Sequence, residues 1–161
     1  MSHRRFFVSK TDVGTSKSRE VIFNMDSLNY VRIKYKDREL KLLIDTGASI
    51  SVIFLEHVGK SQSVDHSESI IINGIAGSAR SSGSVCMSLE ADGTVLTHKF
   101  FLIAAFDDSI HGVLGSDFFE SYGAVIDYSL FTISLFVCNK SVVLPIQSNH
   151  CLLYTSDAAD D

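Results

Sequence analysis

The run Leu42-Leu43-Ile44-Asp45-Thr46-Gly47-Ala48-Ser49 makes the sharpest physical demand in the sequence. Three apolar residues lead straight into a carboxylate. Such a run reads as the end of a strand entering the core. A carboxylate there is costly unless it is hydrogen-bonded or put to chemical use. Thr46 offers a hydroxyl, and Gly47 lets other backbone approach closely. Ile50 to Leu55 then resumes as a strand, so the Asp45 loop lies between two apolar segments. Asp-Thr-Gly alone is a weak signal, and an Asx turn in which Asp45 merely caps its own loop is the plain structural alternative. The flanking strands are what strengthen the chemical reading.

Working outward, the chain reads as strands and turns. Tyr30 to Tyr35 alternates with period two, Lys36-Asp37-Arg38 turns, and Glu39 to Ile44 is the returning arm. His57 to Ser69 is a polar connection. Ile70-Ile71-Ile72 and Ser84 to Leu89 are expected to be the two arms of one hairpin, with Asn73 to Gly83 as a flexible stretch between them. Thr94 to Ala104 is a long strand after the turn Ala91-Asp92-Gly93. A short helix is expected over Ser116 to Tyr122, capped by Ser116 and ended by Gly123. Ala124 to Tyr128, Phe131 to Val137 and Ser141 to Ile146 are closing strands. The fold class is therefore all-β.

Composition narrows the function. The 161 residues suit one domain with a real core, 45% hydrophobic, with 11 Phe and no Trp. A net charge of −5 argues against nucleic-acid binding by this domain. The basic residues His3, Arg4, Arg5, Lys10, Lys17 and Arg19 fall in a polar stretch, 1–27, read as a flexible leader. No apolar run approaches bilayer length, so no membrane partner is expected. Cys86, Cys138 and Cys151 form no CxxC pair, and their odd number suits a reducing compartment. The histidines lack ligand spacing, so neither a metal nor another cofactor is expected. The domain is placed at 28–147 and a disordered tail at 148–161, of which 151–161 reads as a translated sequencing adapter.

A second motif follows the Asp45 loop: Gly112-Val113-Leu114-Gly115-Ser116-Asp117-Phe118-Phe119, then Ala124-Val125-Ile126-Asp127-Tyr128. In this order the motifs resemble the retropepsin-type aspartic proteases of retroviruses and long-terminal-repeat retrotransposons. The Leu-Gly-x-Asp-Phe and Ile-Asp-Tyr wording is closer to the retrotransposon members. The resemblance spans Leu28 to Ile146. It implies a small closed barrel with one short helix in the C-terminal half and a flap hairpin.

The resemblance also implies a homodimeric endopeptidase. Only one such Asp motif is present, so two chains must each supply Asp45. The expected substrate is an extended peptide or Gag-Pol-like polyprotein, in the cytoplasm or within virus-like particles. Phe6-Phe7 is a candidate self-cleavage site. Asp45, Thr46 and Gly47 carry over as the catalytic motif. Ala48 and Ser49 carry over as substrate-binding, together with Ile75, Ala76 and Gly77 of the flap tip. Leu114, with Val52 and Ile53, carries over as pocket or subfloor, with core packing equally open. The family's usual acidic residue and arginine, which brace the site, are replaced here by Ser49 and Ser116. Two other readings stay open: a host-adopted protease, and an inactive module of the same fold that dimerises and binds peptides.

Overall fold

The computed structural model describes residues 28–74 and 77–148. The leader, Ile75 and Ala76, and residues 149–161 lie outside the described residues. Twelve strands and one α-helix occur among those described, in the order β1 (Asn29–Tyr35), β2 (Arg38–Ile44), β3 (Val52–Phe54), β4 (Ile71–Gly74), β5 (Gly77–Arg80), β6 (Ser84–Ala91), β7 (Thr94–Ile103), β8 (Gly112–Leu114), α1 (Ser116–Ser121), β9 (Val125–Asp127), β10 (Thr132–Val137), β11 (Lys140–Pro145) and β12 (Gln147–Ser148). A 3₁₀ turn at Leu55–His57 shortens the strand expected over Ile50 to Leu55.

Six strands close a barrel. They run β1-β2-β8-β3-β7-β6, and Lys34 of β1 pairs with Glu90 of β6 to complete the ring. β12 adds to β1, with Ser148 opposite Asn29. The hairpins are tight because the sequence supplies residues that tolerate positive φ. Asp92 and Gly93 take φ of 49° and 76° between β6 and β7, and Cys138 and Asn139 take 50° and 64° between β10 and β11. Two consecutive positive φ values match the right-handed twist of the flanking strands.

The arrangement of β2, β8 and β3 positions the site. β2 and β3 are successive in sequence yet are not paired, because β8 lies between them, parallel to β2 and antiparallel to β3. β2 in turn lies between β1 and β8, and its end packs on both faces. That explains the continuous apolar run Leu42-Leu43-Ile44 in place of strict alternation. Leu42 faces the main core with Ile53, Leu114 and Phe118. Leu43 faces a second cluster with Ala48, Ile50, Val52, Ile70, Ile72 and Val113. α1 buries Phe118, and β10 and β11 bring Ile133, Leu135, Val142 and Leu144 onto the same main core.

Two sequence expectations are corrected. Ile70 to Ile72 and Ser84 to Leu89 are not arms of one hairpin. β4 pairs with β5, from Ile71 opposite Arg80 to Gly74 opposite Gly77. Ser84 to Ala91 instead pairs along its whole length with β7. Alternating burial of Val85, Met87 and Leu89 against Leu96 and Phe100 draws β6 into the barrel wall. The expected cap is also displaced. Gly115 is the N-cap, without a side-chain cap bond, and Ser116 is already the first helical residue. Gly123 ends the helix as expected, at φ 52°.

Candidate active site

The Asp45 loop emerges at the end of β2 and is stitched to the β8–α1 junction. The Asp45 amide donates to the Leu114 carbonyl at 3.0 Å, and the Ser116 amide donates to the Ala48 carbonyl at 2.7 Å. Within the loop the Ala48 amide donates to the Asp45 carbonyl at 3.1 Å. Gly115 passes so close that an added Cβ would stand 2.3 Å from the Ile50 carbonyl oxygen, and only glycine fits. Gly112 is pinned the same way, 2.5 Å from the Val52 carbonyl oxygen.

The Asp45 carboxyl is only 6% exposed. Its Oδ1 accepts from the Gly47 amide at 3.2 Å. Its Oδ2 is buried with no hydrogen-bond partner among the described residues. Burial pushes its pKa above the ordinary carboxylate range, and backbone hydrogen bonds from Gly47 and Ala48 only partly offset this. A half-satisfied, proton-retaining carboxyl on a loop fixed at both ends is the chemistry of a general acid or base.

Around it, Thr46 is exposed, Gly47 and Ser49 are half-buried, and Ala48 is buried. Leu114 contributes to the site through its carbonyl, while its side chain is fully buried in the main core beside Ile53. Val52 packs in the second cluster. That cluster joins Ala48 and Ile50 of the loop to Ile70 and Ile72 at the base of the β4–β5 hairpin, so the hairpin is anchored over the loop. Ile75 and Ala76 at its tip lie outside the described residues, and Gly77 opens β5. Among the described residues no group of three or more His, Cys, Asp or Glu is arranged to hold a metal ion.

Sequence reasoning missed a second polar cluster beneath the loop. Asp117 accepts from Ser51 Oγ at 2.7 Å, from the Ser51 amide at 3.1 Å and from the Phe118 amide at 2.8 Å, and pairs with His98 Nε2 at 3.1 Å. Ser51 Oγ in turn accepts from the Gly115 amide at 3.0 Å. Ser51 is thus fully buried and committed to these bonds. The signal was present: His98 falls between Leu96 and Phe100 on the inward face of β7, and an inward histidine requires a partner. Asp127 accepts from the Ser129 and Leu130 amides and closes the β9–β10 turn.

Comparisons with known proteins agree with this geometry. The aspartyl protease family model matches residues 31–118, more than half of the chain, and includes the Asp45 motif and Gly112 to Phe118 of the second. No curated protein sequence matches. Among solved structures, the retroviral protease-like domain of Ddi1 from Leishmania major superposes with a TM-score of 0.59 at 20% identity, covering 75% of this chain and 94% of that domain. EIAV protease, solved with the inhibitor HBY-793, superposes with a TM-score of 0.50 at 21% identity, covering 66% of this chain and 99% of the viral one. At these identities the structures speak for the fold, and the family match speaks for the motif. The chain belongs to the aspartyl protease family and has the retropepsin-type fold.

Proposed function

We propose that the protein is an aspartic endopeptidase, active as a homodimer, with one Asp45 from each subunit forming the catalytic pair. The observation that carries this is the Asp45 carboxyl itself: buried, held through Oδ1, and with Oδ2 unpartnered among the described residues. A second Asp45 facing Oδ2 would supply that partner. Two adjacent carboxyls share one proton, because both cannot ionise cheaply. The ionised one takes a proton from water as it attacks the scissile carbonyl. The protonated one hydrogen-bonds the carbonyl oxygen, and a proton then passes to the leaving amine. Thr46, exposed beside Asp45, reaches across the dimer to hold the pair. Gly47, Ala48 and Ser49 offer backbone groups to an extended peptide. The β4–β5 hairpin, with Ile75, Ala76 and Gly77 at its tip, closes over the substrate and excludes water.

The partner surface we favour is the free edge of β9. β9 follows α1, which is stitched to the Asp45 loop, and it is an edge of the β11-β10-β9 sheet. Val125 on it is 55% exposed, and Tyr128 and Leu130 in the turn that follows are 70% and 73% exposed. An uncovered apolar edge strand is a template for pairing with another chain. The opposite edge, β11, ends in Pro145 and borders the charged Arg32, Lys34 and Glu90, which suits it less to pairing.

The substrate we propose is a polyprotein of the Gag-Pol type, on the strength of the motif wording. The test is cleavage of a mixed peptide library by the wild type and by Asp45→Asn, with sedimentation in parallel. Cleavage by the wild type alone, rising more steeply than linearly with enzyme concentration, supports the proposal. A dimer that cleaves nothing sinks it in favour of a peptide-binding module.

A further inference from the structure

We propose that His98 is a positioning residue for Asp45, acting through Asp117 and Ser51 to hold the loop that carries the catalytic carboxyl. The inference rests on Asp45 being that carboxyl. It begins with the accounting at Asp117. A carboxylate has about four acceptor sites, and Asp117 receives four donors: Ser51 twice, Phe118 and His98. Ser51 passes the constraint on, since its Oγ accepts from the Gly115 amide. Gly115 lies against the Ala48 and Ile50 carbonyls, and the Ser116 amide bonds Ala48. Movement at Asp117 therefore displaces both the floor and the exit of the Asp45 loop.

His98 is placed to control that movement. It comes from β7, a different element from α1 and β3, and its ring stands edge-on to Phe100 and Phe118 at 5.3 and 5.1 Å. Those walls keep the imidazole from turning to solvent. Burial, the largest single influence, pushes the Asp117 pKa upward, yet the hydrogen bonds from His98 and Ser51 and the charge on His98 together hold it below the ordinary range. An ionised Asp117 can accept from all four donors. A protonated one turns an acceptor into a donor and loses part of the strap. The groups facing the pair are Ser51 from the loop exit, Phe118 from α1, Tyr122 at its C-cap, and Phe100 from β7. The Tyr122 hydroxyl is itself bonded to Thr97, with Cys138 near it.

The test compares wild type, His98→Leu and His98→Gln. Peptide cleavage is measured from acid to neutral pH. Amide hydrogen exchange is measured in the same preparations at Ser51, Gly115 and Ser116, with Leu89 and Leu96 in the barrel wall as references. His98→Leu is expected to lower kcat by about tenfold or more, with KM little changed. Its acid limb should move to higher pH, and Ser51 and Gly115 should exchange at least about tenfold faster while Leu89 does not. His98→Gln keeps a donor without a charge. It should restore exchange protection and kcat near neutrality but leave the acid limb displaced. An unmoved acid limb with unmoved exchange at Ser51 and Gly115 in His98→Leu overturns the proposal. So does faster exchange shared equally by Leu89 and Leu96, which marks general loosening. If the wild-type dimer cleaves nothing, the protease reading fails, and the exchange measurement still decides whether His98 straps the loop.

Discussion

Replacing Gly115 with alanine tests whether the β8–α1 junction really forms the floor of the Asp45 loop. The new Cβ would stand 2.3 Å from the Ile50 carbonyl oxygen, 2.6 Å from its carbon and 2.9 Å from the Ala48 carbonyl oxygen. All three are backbone atoms, so no side chain can rotate away. Reaching even 3.0 Å requires the segments to part by about 0.7 Å. The Ser116–Ala48 and Gly115–Ser51 bonds, at 2.7 and 3.0 Å, would stretch to the edge of usefulness or beyond. Overpacking costs about 1–3 kcal/mol, and each weakened hydrogen bond about 1 kcal/mol. The expected loss is about 3–5 kcal/mol, a large part of an ordinary domain's stability. A catalytic group displaced by about 1 Å loses about 100-fold in rate. The assays are urea unfolding and kcat/KM per folded enzyme. Gly93→Ala is the control: no atom lies within 4 Å of its Cβ, so only its φ of 76° matters, at about 1–2 kcal/mol. If Gly115→Ala unfolds like Gly93→Ala and cleaves at the wild-type rate, the junction does not set the loop, and the steric argument is wrong.

Three other outcomes follow from the same geometry. Asp45→Asn should abolish cleavage yet gain stability relative to wild type as pH rises from acid to neutral. The folded state holds the Asp45 proton more tightly than the unfolded one, so ionising it destabilises the wild type. A wild-type advantage at neutral pH in urea unfolding would contradict this. His111 Nδ1 accepts from the Lys41 amide at 2.9 Å, and burial, then the neighbouring His57, push its pKa below 6.5. The unfolded state therefore binds more protons, stability should fall as pH drops below 6.5, and His111→Asn should flatten that slope; an unchanged slope would count against it. Val125→Arg should yield a folded monomer by sedimentation, with cleavage lost in proportion, whereas a dimer of normal affinity would move the interface off β9.

What was legible in the sequence follows local physics. β1, β2, β6, β7, β10 and β11 each carry a clear alternation or a two-sided apolar run, and their turns carry Lys36-Asp37, Asp92-Gly93 and Cys138-Asn139. The Asp45 loop was legible because a carboxylate after Leu42-Leu43-Ile44 has few uses. The pairing of β4 with β5 was not, because the short, polar β5, Gly77 to Arg80, has no alternation to mark it as a strand. The Ser51–Asp117–His98 cluster was also hidden. Its members lie on three elements, with Ser51 and Asp117 66 residues apart, and their convergence depends on β8 entering between β2 and β3. Ser116 was misassigned as a cap because the cap site is set by the close approach of Gly115 to Ile50, a tertiary contact.

That insertion also orders events along the chain. The Asp45 loop gains its floor only when residues 112 to 117 arrive, more than sixty residues later in sequence, as the Ser51–Gly115 separation of 64 shows. Hairpins β1–β2 and β6–β7 are local, and their low loop-closure cost leads us to expect them to form before such non-local pairing. Before β8 seats, the Asp45 amide lacks the Leu114 carbonyl and Ala48 lacks Ser116, and only the loop's own Gly47 and Ala48 amides hold Asp45. The same step delivers α1, and α1 leads directly to β9. Burial of the Asp45 carboxyl and presentation of the edge we assign to the partner thus both depend on that one strand insertion. A chain in which β8 has not seated lacks both the bonds that fix the Asp45 loop and the placement of β9, so under the proposed function the half-site and its means of pairing arise as a unit.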